Sequence, residues 1–199
     1  ATVTFGSQTA TRKMTISVQA DEYIASTVVQ AKAASLNTKV RIQGSVIYVA
    51  PFGYAVQDST GNMYVYGSNH GRQLGDIVVV RGNRAVYNGM PQLGSATSEK
   101  IDQEPASFNP LANAIVGTVG DIMALPVDDG NSYTKMYKLQ VMVEQSSDVH
   151  NPYHLTNPYN LEEFVGVTRY TSENSLAELN TLKGKFVECY VLVYSSYAG

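Results

Sequence analysis

From Lys39 to Val49 the chain alternates: Val40, Ile42, Gly44, Val46 and Tyr48 fall on one side, and Arg41, Gln43, Ser45 and Ile47 on the other. A period of two predicts a β-strand with one buried face. Gly44 lies mid-strand, where a side chain would obstruct sharp coiling, so the strand is expected to bend there and serve two sheets. Tyr54–Asp58 and Asn62–Tyr66 predict the next two strands. Asp58-Ser-Thr-Gly61 between them reads as a tight hairpin, with Gly61 at the position that needs positive φ. A fourth strand begins at Asp76–Val80 and continues through Gly82 to Tyr87. Asn88-Gly89 is a strong hairpin signal and feeds a fifth strand from Gln92.

Ahead of this run stand two short β pieces, Thr2–Phe5 and Lys13–Val18, divided by a polar turn. Over Asp21–Leu36 the period changes: Ile24, Val28, Ala31 and Ser35 recur at helical spacing, and Asp21 suits an N-cap. After it, Ser98–Pro110 reads as a linker. The plan then begins again. Ala114-Ile-Val-Gly-Thr-Val-Gly120 resembles Arg41-Ile-Gln-Gly-Ser-Val46, Met136–Glu144 predicts a second strand after the turn Asp128-Asp-Gly-Asn131, and Leu161–Tyr170 a third. Ser175 with Glu178 matches a capping box, Leu176, Leu179 and Leu182 line one helix face, and Gly184 ends it. Phe186–Tyr194 is a fourth strand. A fifth is not visible before Gly199, so either the chain is cut or another segment, such as the N-terminal β pieces, is expected to supply it. The expected organisation is N-terminal pieces and a lead-in helix over 1–37, a first barrel over 38–97, a linker over 98–111 and a second barrel over 112–199.

Five short strands with a helix between the third and fourth resemble the oligonucleotide/oligosaccharide-binding barrel, the OB-fold. In Arg41-Ile-Gln-Gly-Ser-Val46, Tyr54-Ala-Val-Gln-Asp-Ser-Thr-Gly61, Tyr64-Val-Tyr-Gly67, Gly75-Asp-Ile-Val-Val-Val-Arg-Gly82 and Tyr87-Asn-Gly89 followed by Pro91-Gln-Leu93, the chain is similar to OB-like modules of secreted or lipid-anchored envelope proteins of gut bacteria. The resemblance is good over 38–96 and looser over 112–199, where Gln145–Asn160 departs from the pattern. It implies a mainly β protein of two tandem five-stranded OB-like barrels with short helices. It also implies a place outside the cytoplasm, secreted or in the cell envelope. Its hairpin motif marks the barrel and names no ligand.

Composition narrows the function classes. Of 199 residues, 44% are hydrophobic and 16% charged, which suits a folded protein. Residues 1–108 carry nine Lys/Arg against seven Asp/Glu, and 109–199 five against ten, so a net +2 is followed by −5. The acidic second half disfavours a dedicated nucleic-acid binder. No apolar run reaches membrane-spanning length, so no membrane insertion is expected. The chain opens at Ala1 without a charged-then-apolar leader, so any export signal is expected to have been removed or never present. Cys189, the one cysteine, alternates with Val187, Val191 and Val193 and reads as a buried small hydrophobe.

OB barrels bind on the face of their second and third strands, with aromatic platforms and basic groups. Alternation turns Met63 and Val65 inward and Tyr64 and Tyr66 outward. By the same count Arg41, Gln43, Gln57 and Arg81 point outward, and these six form the candidate ligand surface. Outward tyrosines also serve to pack domains together, and outward Ile77 and Val79 favour that use. The spacing of His150 and His154 invites a metal, but Pro152 excludes a helix between them and no third ligand is near. Asp128–Asn131 lacks the distant glutamate of a calcium loop. No G-x-S-x-G elbow or phosphate-cradling loop occurs, and adjacent Glu162 and Glu163 face opposite ways on a strand. The expected role is a non-enzymatic binding module without cofactor. Its expected partners are an oligosaccharide or single-stranded nucleic acid, or other modules of the same envelope protein. A structural spacer, or an accessory domain beside a nuclease-like enzyme, are the alternatives.

Overall fold

The computed structural model describes residues 2–5, 8–11, 21–126 and 133–194. They form a mainly β protein with sheets of six and five strands, and a separate two-stranded hairpin. In that hairpin β1 (Thr2–Phe5) pairs antiparallel with β2 (Gln8–Thr11). Neither strand joins the second sheet among the described residues. The strand expected over Lys13–Val18 lies outside the described residues.

Asp21–Leu36 is not one helix. Ile24–Ala25 forms a short strand, β3, and the helix α1 covers only Val28–Ala33. Thr27 rather than Asp21 caps it, because Thr27 and Gln30 exchange hydrogen bonds as a capping box. Asp58 of the neighbouring hairpin then accepts from the Val28 N–H at 2.8 Å. The helix begins where its orphan N–H groups meet oxygen.

The first sheet contains β3, β4 (Lys39–Ala50), β5 (Gly53–Asp58), β6 (Gly61–Tyr66), β7 (Asp76–Tyr87) and β8 (Met90–Gln103). Its order is β3-β4-β5-β6-β8-β7, and β7 also pairs with β4. At Ser45 the long strand β4 passes from β7 to β5 as its partner. A Cβ on the preceding Gly44 would collide with the Gln57 carbonyl, which is why glycine stands there. Asn88 and Gly89 take φ of 47° and 76°, the paired positive values of a type I′ hairpin. Strand β8 runs on into the expected linker as far as Gln103: Ser98 and Lys100 pair with Val80 and Val78. Their polar side chains hid a strand whose backbone completes the β7 ladder. The core unites Val40, Ile42, Val56, Met63, Val65, Val78, Val80 and Leu93 with Val28 and Ala31 of α1.

In the second half, Ala114–Gly120 is not a counterpart of the strand at Arg41–Val46. It forms a two-residue strand, β9 (Ile115–Val116), and then α2 (Val119–Met123), capped by Thr118 through a box with Asp121. Its counterpart is therefore Tyr23–Val29, where Ile24-Ala-Ser-Thr-Val28 matches Ile115-Val-Gly-Thr-Val119. Both tripartite segments pair their short strand parallel to the next long strand, β3 with β4 and β9 with β10 (Met136–Gln145). The rest of the second sheet is β11 (Tyr153–Asn157), β12 (Asn160–Val167) and β13 (Phe186–Leu192). Its order is β12-β11-β10-β13. Strand β11 lies inside Gln145–Asn160, where no strand was expected. The helix α3 (Glu173–Thr181) takes Ser172, not Ser175, as N-cap, since the Ser172 hydroxyl accepts from the Ser175 N–H.

Candidate functional site

Register distributes the six sequence-selected side chains over three places. Arg41 stands opposite Arg81 across the β4–β7 pair, and Gln43 opposite Val79. The two guanidinium groups converge on one carboxylate: Asp21 Oδ2 lies 3.2 Å from Arg41 Nη1 and 3.5 Å from Arg81 Nε. Lys39 Nζ meets Glu22 at 2.7 Å and stands 5.9 Å from the centre of the Tyr23 ring. The segment entering β3 thus sets two carboxylates against three cations on one outward face, which leaves one positive charge in excess. The Tyr23 amide holds the Asp21 carboxyl below its usual range, and Arg81 and Arg41 add to that. Gln43 is exposed beside the pair.

Gln57 sits opposite Ser45 and Asn62. Its Nε2 donates to Asn62 Oδ1 at 2.9 Å, and its Oε1 accepts from Asn113 Nδ2 at 3.4 Å. Both ends of this amide are engaged by the protein.

Tyr64 requires a correction. Alternation does send it away from Met63 and Val65, but the face it enters is covered by the second sheet. It is 2% exposed and belongs to the second core with Met90, Tyr133, Tyr137 and Leu139. Its ring meets Tyr194 edge-on at 5.0 Å, and burial pushes its phenol far up. A soluble ligand does not reach it. Tyr66, on the same face, is 50% exposed. It pairs with Gly53, which pairs with Ala50, and so lies at the opposite end of β4 from Arg41. Phe52 and Tyr170, edge-to-face at 5.4 Å, make a half-exposed aromatic rim nearby.

Residues that sequence reasoning did not select build the contact between the sheets. Thr134 is fully buried at φ 68°, an uncommon state for a β-branched residue. Its carbonyl accepts from Asn62 Nδ2 at 2.8 Å, its hydroxyl donates to the Asn62 carbonyl at 2.8 Å, and Lys32 Nζ reaches the same hydroxyl at 2.9 Å. No local pattern marks such partners, because they are joined only by the fold.

Burial pushes the Cys189 thiol up to about 11, with the Glu188 charge adding to it, so the thiol stays protonated and unreactive near neutrality. His154 stacks on Phe164 at 4.2 Å, while the His150 backbone donates to Asp148. Among the described residues no three His, Cys, Asp or Glu side chains gather at one point. The turn Asp128–Asn131 lies outside those residues. Glu163 is held by the amides of Asn157 and Asn160 at 2.6 and 2.9 Å. No described helix is long and apolar enough to cross a membrane.

No protein-family model and no curated protein matches the chain. Among solved structures it is similar to the hypothetical protein ygiW from E. coli, at 17% identity and a TM-score of 0.36, covering 44% of this chain and 100% of that one.

Proposed function

We propose that the chain is a non-enzymatic binding module of an exported envelope protein, built on OB-type barrel units, and that it holds an oligosaccharide on the outward β4–β7 face. Arg41, Arg81 and Gln43 are the contact residues. The barrel reading draws on two pairings: β7 binds both β8 and β4, and β6 runs parallel to β8. The ligand reading rests on the Arg41–Arg81 pair, two partly exposed guanidinium groups that share one acidic group between neighbouring strands. Such a fork suits carboxylate-bearing or hydroxyl-rich chains. Single-stranded nucleic acid is the weaker candidate, because stacking platforms should accompany the cations and Tyr66 lies at the far end of β4.

The test is calorimetric titration with neutral and uronate-containing oligosaccharides. Arg41→Gln and Arg81→Gln are each expected to weaken binding about tenfold, the loss of one charge-assisted contact. Salt-sensitive binding of single-stranded DNA that depends on Tyr66 instead overturns the choice of ligand.

A second reading is favoured by Tyr64. The face on which OB barrels take ligands is used here to hold another sheet, as in a spacer or assembly domain. Retention of neither glycan nor DNA supports that role.

A further inference from the structure

Near the end of β4 away from Arg41, three aromatic side chains from both halves of the chain meet solvent together. Phe52 sits in the turn from β4 to β5, Tyr66 ends β6, and Tyr170 follows β12. They are 42%, 50% and 41% exposed. The backbone sets Tyr66 beside Phe52: Tyr66 pairs with Gly53, and the Gly67 N–H donates to the Phe52 carbonyl at 3.1 Å. Tyr170 arrives from the second half, its ring centre 5.4 Å from that of Phe52 and its plane at 89°. The turn that carries it is pinned on both sides. The Arg169 N–H donates to the His150 carbonyl at 2.9 Å, and the Thr171 N–H to that of Thr168 at 3.0 Å. Single exposed aromatics are ordinary, but a group gathered from distant segments marks a contact surface.

A cation completes the group. The Arg169 guanidinium lies 5.0 Å from the centre of the Tyr170 ring, and its Nη2 donates to the Tyr170 hydroxyl at 2.9 Å. Among the described residues no carboxylate pairs with it. The ring holds the planar fork in place and leaves its other N–H donors for an acceptor from outside.

Charge limits what that acceptor can be. Between Lys138 and Lys183 the chain has no Lys or Arg except Arg169, but it has Glu144, Asp148, Glu162, Glu163, Glu173 and Glu178. A run of phosphates would be repelled by so acidic a region. One carboxylate on an otherwise neutral ligand is matched by the one guanidinium.

We propose that Phe52, Tyr66, Tyr170 and Arg169 form a second ligand site that takes a sugar acid. Its pyranose ring rests by its C–H face on the aromatic side chains, and its carboxylate meets Arg169. Phe52 and Tyr170 stand at right angles, and so form a corner rather than a flat platform. A pyranose, apolar on its faces and hydroxylated at its rim, fits such a corner, whereas a flat base stacks on one ring alone. The Tyr66 hydroxyl adds a donor and an acceptor for the rim. This site does not depend on the β4–β7 face, since Arg41 and Ala50, the partner of Gly53, stand near opposite ends of β4.

Calorimetric titration of the full chain with a glucuronate-containing trisaccharide and with its all-glucose counterpart tests this. Both the parent and Arg41→Gln/Arg81→Gln, which removes the contacts of the β4–β7 face, are titrated. In that double variant the acidic sugar should still bind, about tenfold more tightly than the neutral one. Adding Arg169→Gln should erase the preference, and adding Tyr66→Ala should weaken both sugars about tenfold. All four side chains are exposed, so the Tm of each variant should stay at its background value. Loss of all binding in the double variant, with no response to Arg169→Gln in the parent, overturns the proposal and leaves the β4–β7 reading standing. Binding that the double variant keeps in full and Arg169→Gln weakens supports the proposal and overturns the β4–β7 reading alone. A parent that binds neither sugar overturns both. Binding of single-stranded oligodeoxythymidylate through Tyr66 and Arg169, in place of sugar, overturns the ligand class.

Discussion

Tyr64 and Tyr66 are two residues apart on one strand face, yet only one is a structural anchor. Tyr64 fills the contact between the two cores, and removing a buried aromatic leaves a cavity the surroundings cannot close. Tyr64→Ala is expected to lower stability by about 3 kcal/mol. Tyr66→Ala should change it by less than about 0.5 kcal/mol, and denaturant midpoints compare the two. Asp76 gives a second residue-level test. Burial alone would raise its carboxyl, but the Lys100 ammonium at 2.7 Å and the Gln73 amide at 2.9 Å hold it below the usual range. A carboxyl depressed in the native state contributes stability that is complete above about pH 4, its unfolded range. That contribution falls away as pH drops through the lower native value. Lys100→Met should cost about 1–2 kcal/mol at pH 7, a figure reduced because Lys100 is half in solvent, and less under acid. Chemical denaturation at pH 7 and pH 3 reads the difference.

At the scale of elements, turns and close approaches were legible because glycine and asparagine act locally. Asn88-Gly89 specifies its own hairpin, and Gly44 marks where β5 comes nearest to β4. Gly44→Ala is expected to cost about 2 kcal/mol by forcing those strands apart, visible as a lower Tm. Helix starts were less legible. Asp21 and Ser175 have the right chemistry for caps, but Thr27 and Ser172 serve, because a cap works only where the chain turns from extended to helical. The repeat is legible in the sequence, but one of its two local signals points to the wrong partner. Ala114–Gly120 shares an apolar-Gly-polar-Val pattern with the strand at Arg41, whereas its Ile-x-x-Thr-Val spacing matches the capped segment at Ile24. Polar residues also concealed β8 beyond Thr97, since an exposed strand needs no alternation to keep its ladder, and β11, in which the two buried residues Leu155 and Thr156 are adjacent and show no alternation.

For the molecule as a whole, the contact between sheets should make the halves unfold together. Asn62 closes two hydrogen bonds with Thr134, and Lys32 adds a third from α1. Asn62→Ala leaves a buried carbonyl without its donor, at a cost of about 1–3 kcal/mol. A single calorimetric transition is expected in the parent chain, and a broadened or split one in the variant. The candidate site divides along the same line. That Arg41, Gln43 and Arg81 face outward follows from alternation, a property of any strand. That Arg41 and Arg81 share Asp21, that Gln57 is engaged at both ends, and that Tyr64 is sealed away depend on which strands became neighbours. Periodicity and turn chemistry act over a few residues and can be read along the chain. Which outward face meets water and which meets a second sheet depends on contacts between distant segments, such as Asn62 with Thr134, that only the folded molecule brings into reach.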